Sequence, residues 1–283
     1  MRIVVGVKQV EDIAFVRYGS GLAPLRRRFP NPADLAAVEQ AERLRGDSGE
    51  VIALTVGPPD VEAALRKALM MGVDRVVRVW SDLLVGADSF AVATVLAAAA
   101  RRLGFDLLLL GARSADTATE AVGAAVAEIL DLPLVTRVIG VESAPEGSRM
   151  LAHRKLERGE RETFGVSCPA VLTIEPGVTE PRYCAPGWVS RTRRGQVELL
   201  RPEEIGARAD AFSRRLAILE VTSPRPRAKV GVPVAGLSLK DKLAVMRGGR
   251  KQPPAEERVI EGPPSEVARR LKTALERFLP RRP

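Results

Sequence analysis

The strongest constraint on the fold is an alternation of two patterns along residues 1–140. Short apolar runs rich in β-branched side chains alternate with longer segments in which apolar residues recur at helical spacing. Two parallel neighbours in one sheet need a long connection, usually a helix, so this alternation predicts an α/β fold with a parallel sheet covered by helices. The predicted strands lie at 2–7, 50–57, 75–80 and 105–111.

Capping signals mark where the helices of this region begin and end. The first three predicted helices span 31–45, 58–72 and 87–104. Asn31 is a candidate N-cap, because its side chain can accept a hydrogen bond from the first helical turn. Glycines close the second and third segments, as is typical of helix C-termini. A fourth helix is predicted to begin near Thr117 or Thr119.

Three of the four predicted strands end in glycine, at Gly6, Gly57 and Gly111. Parallel strands share one edge of the sheet at their carboxyl ends, where ligands bind, and glycine lets the backbone approach a ligand closely. The loop 111–123 adds small and hydroxylated residues ahead of a helix, which suits a phosphate at the helix N-terminus. We therefore predict a nucleotide at this edge. An ordinary capped helix with tight turns is the alternative that the loop leaves open.

The pattern changes twice in the second half of the chain. From residue 135 onward, adjacent strands replace the strand-helix units and predict a β-meander in VTRVIGVE at 135–142, SRMLAHRKL at 148–156 and RETFGVSCPAVLTIEP at 161–176. This pattern predicts an added layer or β excursion rather than another parallel crossover. After about residue 200, repeated prolines break the chain into short pieces, and one amphipathic helix is predicted at 265–279. We predict a nucleotide-binding α/β domain at 1–200 and an extended C-terminal arm at 201–283 that docks on a partner.

Composition and charge exclude several classes of function. The formal net charge is +9, but the excess basic residues stand late in the chain among prolines, without the aromatic residues or motifs of nucleic-acid binding. The longest apolar run, 90–100, is about half of the ~20 residues that a membrane helix needs, and the N-terminus has no secretory signal. We predict no nucleic-acid partner, no transmembrane segment and a cytoplasmic location.

Recognisable catalytic motifs are missing from the sequence. The chain has neither a G-x-x-x-x-G-K-[ST] loop nor a G-x-G-x-x-G fingerprint, and it has no G-x-S-x-G elbow. A single histidine, His153, argues against a Ser-His-Asp hydrolase. Cys168 and Cys184 have no spacing typical of a zinc site or a disulfide framework. We therefore predict no catalytic and no metal-binding residues.

Five stretches, in order and spacing, resemble the β subunit of electron transfer flavoproteins, the EtfB/FixA family. They are VGVKQVED at 5–12, NPADLAAVEQAERL at 31–44, LTVGPPDVEAALRKALMMGVDR at 54–75, DLLLLGARSADTATEAVG at 106–123 and CPAVLTIEPGVTEPRY at 168–183. The resemblance implies a Rossmann-like fold related to the adenine-nucleotide α-hydrolases. It also implies an electron carrier, not an enzyme, that forms a heterodimer with an α subunit.

The resemblance further implies cofactors and redox partners. FAD would lie mainly on the α subunit, and the β subunit would hold AMP or a second FAD. Electrons would pass between dehydrogenases and a membrane or soluble acceptor, such as a quinone reductase. The residues that the resemblance implies for cofactor binding are Gly6, Lys8, Asn31, Val56, Gly57, Gly111, Ser114, Asp116, Thr117, Thr119, Glu120, Ala121 and Val122.

The chain departs from the family pattern at two places. In the phosphate loop, Ala118, Glu120 and Ala121 replace an acid, a small residue and a glutamine, which weakens the side-chain grip on phosphate. The second place is the surface that the resemblance implies for docking a dehydrogenase. The implied docking residues are Pro186, where family members place an exposed leucine, Lys155 in place of an acid, and Trp188 as a substitute anchor. Packing of Trp188 under the arm is the alternative.

A second class of function fits the same sheet. A stand-alone adenine-nucleotide-binding module of the universal-stress type would need no redox partner. It would carry a glycine-spaced phosphate loop after the fourth strand, a spacing that GARSADTATEAVG at 111–123 lacks. The long proline-broken arm also favours a chain that joins another subunit.

Overall fold

The computed structural model describes residues 1–12, 27–144, 149–177, 179–184, 187, 189, 192, 196–206, 214–217, 219 and 262–276. Contacts divide the chain into two compact units, Met1–Ser223 and Pro224–Pro283. The functional division predicted at residue 200, with an extended arm beyond it, stays a prediction.

Eleven strands are described in the first unit. In chain order they are β1 (Arg2–Gly6), β2 (Gln9–Glu11), β3 (Arg28–Pro30), β4 (Glu50–Val56), β5 (Arg75–Val79), β6 (Leu107–Gly111), β7 (Leu134–Ser143), β8 (Arg149–Lys155), β9 (Arg161–Ser167), β10 (Ala170–Ile174) and β11 (Glu198–Leu200). Nine form one sheet in the order β11-β5-β4-β1-β6-β10-β7-β8-β9, and β2 pairs with β3. The four strands predicted from the alternation are β1, β4, β5 and β6, and all four are confirmed.

Helices cover both faces of the parallel part of this sheet. They are α1 (Pro32–Leu44), α2 (Glu62–Met71), α3 (Ser89–Leu103) and α4 (Ala121–Leu130). Helices α1 and α2 pack on one face, where Leu107 and Leu109 point. Helices α3 and α4 pack on the other face, where Leu108 and Leu110 point. Burial on both faces explains the continuous leucine run, and the Rossmann-like α/β prediction is confirmed.

The predicted start of the fourth helix is wrong, because α4 begins at Ala121 rather than near Thr117 or Thr119. Ala118 and Glu120 have positive φ angles of 49° and 55°, which a right-handed helix cannot contain. Because these two residues are not helical, α4 starts only at Ala121, and residues 112–120 form a loop between β6 and α4.

The predicted β excursion is confirmed for three strands and wrong for the fourth. Strands β7, β8 and β9 form an antiparallel meander. Strand β10 then leaves the meander and runs parallel to both β6 and β7. All five β10 residues are buried, so its run AVLTI suits a central position rather than an exposed meander. The excursion therefore widens the main sheet instead of adding a layer.

An ion pair at a buried carboxylate fastens the segment after β10 to α1. The Glu39 side chain is 4% exposed and accepts from the backbone N, Nε and Nη2 of Arg182 at 3.1, 2.7 and 3.2 Å. Arg43 Nε also donates to Glu39, at 2.9 Å. Burial opposes ionisation of Glu39, but the hydrogen bonds from Arg182 and Arg43 outweigh it and hold the Glu39 pKa below its usual value.

One helix is described in the second unit. Helix α5 (Pro264–Glu276) confirms the predicted C-terminal amphipathic helix, whose last three predicted residues lie outside the described residues. Within the described parts of the chain, every helix is too short or too polar to cross a bilayer.

We predict that Glu39→Gln lowers the free energy of unfolding by about 1–3 kcal/mol, because Arg182 then loses the charge of its buried partner. Glu198→Gln is the matched control, since Glu198 pairs with Arg75 at 2.7 Å where both side chains are 42% exposed. Its cost should stay below about 1 kcal/mol. Urea unfolding followed by circular dichroism measures both. Equal losses in the two variants would contradict the role of Glu39.

Candidate functional site

A cavity of about 320 Å³ opens at the carboxyl ends of β1, β4 and β6. The N-terminal ends of α1, α3 and α4 complete its walls. Open parallel sheets bind ligands at this edge, so the cavity lies where the strand-end glycines predict a ligand. The size lies at the lower end of the range for small-molecule sites.

Most of the predicted cofactor-binding residues surround this cavity. Those that line it are Gly6, Lys8, Asn31, Val56, Gly111, Ser114, Thr117, Thr119, Glu120, Ala121 and Val122. Gly57 and Asp116 do not line it. The N–H of Gly57 donates to Val79 O at 3.1 Å, at the end of the neighbouring strand. Contact of any of these residues with a nucleotide stays a prediction.

The buried carboxylate of Asp34 joins three elements at the floor of the cavity. Its Oδ2 accepts from Lys8 N at 2.7 Å, beyond the end of β1. Its Oδ1 accepts from Gly111 N at 3.1 Å, at the end of β6, and from Asn31 Nδ2 at 3.0 Å. A single side chain at the start of α1 therefore fixes the distance between two strand ends.

Close packing at this junction explains the glycine at the end of β6. A Cβ atom at Gly111 would collide with Asp34 Oδ1 and would press on Ala33 Cβ at 2.9 Å. Any larger residue would therefore displace the carboxylate from its N–H donors. The absence of a side chain at Gly111 therefore lets Asp34, as well as a ligand, approach the backbone closely.

The Asn31 side chain holds the loop after β6. Asn31 stands at the predicted N-cap position of α1, but its side chain makes no capping hydrogen bond there. Asn31 Nδ2 donates to Arg113 O at 3.1 Å, and Asn31 Oδ1 accepts from Ala115 N at 3.1 Å. Asn31 Nδ2 also donates to Asp34 Oδ1 in the first turn of α1, at 3.0 Å. Asn31 thus ties the loop to the floor of the cavity.

Burial sets the protonation of Asp34. Loss of hydration raises the pKa of Asp34 to about 7, although N–H groups of Lys8, Asn31 and Gly111 each act to lower it. The side chain is therefore close to half ionised at neutral pH, and its charge responds to the charge placed in the cavity.

Among the described residues, one lysine lines the cavity, and it is paired with an acid of the loop after β6. Lys8 Nζ lies 2.6 Å from Asp116 Oδ1. Burial opposes ionisation of Asp116, but Lys8 and Ser114 hydrogen bonds keep its pKa below the usual value. Ser114 Oγ and Thr117 Oγ1 are also bonded to each other, at 2.8 Å. These contacts fix the loop and neutralise much of the charge of Lys8.

The start of α4 is the part of the cavity best suited to an anion. Ala121, Val122 and Gly123 form its first turn and line the cavity. N–H groups of a first turn lack partners within the helix, and no described side chain caps this one. The positive end of the helix dipole adds to the attraction for a phosphate. Glu120, just ahead of the turn, adds an opposing negative charge.

Several residues of the site were not predicted from the sequence. The missed lining residues that carry charge are Asp34, Asp88 and Arg113. A signal for Asp34 was present, because this acid stands on the apolar face of α1 that also carries Ala37 and Ala41, both buried. Asp88 and Arg113 lie on loops, where no periodicity separates a lining side chain from a solvated one.

The predicted docking residues stay predictions. Lys155 is exposed at the end of β8, opposite Arg161 of β9. Pro186 and Trp188 lie outside the described residues. Across the parts of the chain that the structure describes, no group of three or more histidine, cysteine, aspartate or glutamate side chains could hold a metal ion.

We predict that Asp34 makes the protein less stable as the pH rises from about 4 to about 7. Its folded pKa lies above the unfolded value of 3.8, so folding stabilises the protonated form, and this advantage is lost as the carboxyl ionises. Relative to Asp34→Asn, the free energy of unfolding of the wild type should fall by an amount on the order of 4 kcal/mol over this range. Denaturant unfolding of both proteins at several pH values measures the difference. A difference that does not change with pH would contradict the assignment.

Comparison with known proteins places the chain in a family. A family model described as electron transfer flavoprotein domain matches residues 24–205. Electron transfer flavoprotein subunit beta of Methylophilus methylotrophus is 31% identical over 218 residues, 74% of this chain and 83% of the relative. The caffeyl-CoA reductase-Etf complex subunit CarD of Acetobacterium woodii is 31% identical over 239 residues, 82% and 90% of the two chains.

A third relative extends the comparison to FixA proteins. Protein FixA of Azorhizobium caulinodans is 32% identical over 216 residues, which cover 73% of this chain and 77% of the relative. The resemblance carried by the five sequence stretches is therefore confirmed. The chain belongs to the electron transfer flavoprotein family, in the EtfB/FixA branch that contains the beta subunits.

Proposed function

We propose that this chain is the β subunit of a heterodimeric electron transfer flavoprotein that carries electrons between dehydrogenases and a membrane or soluble acceptor. The FAD that accepts and releases the electrons would be held mainly by the α subunit. The family assignment supports this role, and it favours a carrier subunit over the stand-alone universal-stress module. A cytoplasmic location stays a prediction.

We further propose that the cavity holds the AMP moiety of a nucleotide, either AMP itself or the AMP half of a second FAD. The observation that carries this proposal is the uncapped first turn of α4, which faces a cavity at the carboxyl edge of the sheet. The phosphate would accept hydrogen bonds from the N–H groups of Val122 and Gly123. The adenosine would extend towards Gly6 and Asn31 at the other end of the cavity.

The charges around the cavity favour a nucleotide with few phosphates. Lys8 is neutralised by Asp116 at 2.6 Å, while Arg113 lies 4.0 Å from Glu175 and is half exposed. Glu120 adds negative charge at the start of α4. A triphosphate needs several cations or a metal ion, which this wall does not supply, whereas one phosphate can be held largely by helix N–H groups.

The chain's own residues would bind and position the nucleotide rather than transfer electrons. Asp34 holds two strand ends at a fixed spacing, and Asn31 holds the loop that continues to α4. This arrangement would give the nucleotide a rigid seat within the sheet. The nucleotide would in turn join the strand ends to the start of α4 and stabilise the subunit against unfolding.

Denaturing the purified αβ complex and measuring the released FAD and AMP tests the proposal. We expect one FAD from the α subunit together with either one AMP or a second FAD for each heterodimer. Two FAD molecules would assign a flavin nucleotide to the cavity, and one FAD with one AMP would assign AMP. One FAD alone would contradict the proposal for the cavity, and a complex without FAD would contradict the proposed carrier function.

We predict that Glu120→Gln tightens AMP binding to nucleotide-free complex about three- to tenfold, because a repelling charge is removed near the phosphate. Glu128→Gln is the matched control, since Glu128 is exposed on the same helix outside the cavity lining. Isothermal titration at low and high salt measures both. The gain should shrink at high salt. An unchanged or weaker affinity in Glu120→Gln would argue against a phosphate at this helix end.

A further inference from the structure

A short segment after the α/β core is fastened to one wall of the cavity. We call residues 214–216 the strap. The backbone N–H groups of Arg215 and Leu216 donate to Asp88 Oδ2 at 2.7 and 2.9 Å. Arg214 Nη2 donates to Val85 O at 2.8 Å. The Arg215 guanidinium also lies 3.7 Å from the centre of the Phe90 ring, a cation–π contact.

Asp88 serves the cavity wall and the strap with different oxygens. Its Oδ1 accepts from Ala91 N at 2.9 Å and caps α3, while its Oδ2 takes both strap N–H groups. The capping bond from Ala91, followed by the strap bonds, keeps the pKa of Asp88 below its usual range. Asp88 and its neighbours Ala87 and Ser89 line the cavity. The Asp88 side chain therefore contacts the strap, and the same residue forms part of the cavity wall.

The strap contacts a partly exposed loop that leads into the cavity wall. Leu83 and Val85, in the loop ahead of α3, are 60% and 62% exposed. Gly86 has a φ of 69°, and a Cβ there would collide with Arg214 Nη2, so the arginine covers this glycine closely. Loop segments with exposed side chains open at low free-energy cost unless other contacts hold them. The strap provides such contacts on the outer side of the wall.

We propose that Asp88 couples attachment of the strap to occupancy of the cavity, so that a bound nucleotide and an attached strap each stabilise the other. The coupling rests on the proposed function, since it requires a nucleotide against this wall. Both events need the same ordered conformation of residues 85–92. The event that occurs first, nucleotide binding or strap attachment, bears the entropic cost of ordering these residues, so the second event costs less. Each event therefore favours the other by the same factor.

Asp88→Asn separates the two roles of this side chain. Asparagine is as good an N-cap as aspartate, so the cap of α3 can be kept. It has one carbonyl oxygen, however, and its NH₂ group would face the two strap N–H donors without accepting from them. Arg214→Ala is a second variant, which removes the bond to Val85 O and the cover over Gly86 but leaves Asp88 intact. Asp82→Asn is the matched control, because Asp82 is an exposed acid in the same loop.

Two measurements on the purified αβ complex, stripped of the nucleotide in the cavity, test the coupling. Isothermal titration gives the affinity for AMP, and hydrogen exchange followed by mass spectrometry gives the protection of the strap amides. In the wild type, AMP should slow strap exchange about tenfold. Asp88→Asn should weaken AMP binding about five- to tenfold and remove this protection, Arg214→Ala should weaken both in part, and Asp82→Asn should resemble the wild type.

The outcomes distinguish the coupling from the function on which it rests. A wild-type complex whose stripped cavity binds neither AMP nor FAD would overturn the proposed nucleotide site and the coupling together. A wild type that binds AMP, with unchanged affinity in Asp88→Asn and Arg214→Ala, would overturn the coupling alone. Strap exchange that AMP leaves unchanged in the wild type would also overturn it.

Discussion

The geometry of the candidate site depends on the buried carboxylate of Asp34. It occupies the N–H groups of Lys8 and Gly111, the strand-end donors that would otherwise point towards a ligand. An anion would be disfavoured at the floor of the cavity, because these N–H donors are already used and Asp34 is partly ionised at neutral pH. Under the proposed function, the uncapped first turn of α4 is the favourable position for phosphate. The buried acid would then set the direction in which a nucleotide lies.

The site is held by polar contacts at loop ends, whereas the fold is held by apolar packing on both sides of a parallel sheet. Fully buried residues such as Leu108 and Leu109 contribute roughly 1.5–3 kcal/mol each, so the strand ends are anchored before any ligand is present. The loops depend on fewer contacts, such as Lys8 with Asp116 and Asp88 with the strap. A nucleotide that touches several of these loops would stabilise the part of the molecule where local stability is lowest.

The elements that a periodic hydrophobic pattern determines could be predicted from the sequence. The features that depend on single contacts were predicted less well. Alternation predicted β1, β4, β5 and β6, because continuous apolar runs arise from burial on both faces. It could not place the start of α4, which depends on the positive φ angles of Ala118 and Glu120. Strand β10 was assigned to the meander, since its parallel pairing joins residues distant in sequence. The position of Asp34 on the apolar face of α1 signals burial, but its hydrogen bonds to Lys8 and Gly111 are tertiary and have no local signature. The same holds for the bonds of Asn31 to the loop after β6.

We propose that Asp34 directs the phosphate of a bound nucleotide to the start of α4. A crystal structure of the αβ complex with AMP would show the position of that phosphate. We predict a phosphate within hydrogen-bonding distance of the N–H groups of Val122 and Gly123, with Asp34 still bonded to Lys8 N and Gly111 N. A phosphate bound to the N–H groups of Lys8 and Gly111, with Asp34 displaced, would contradict it.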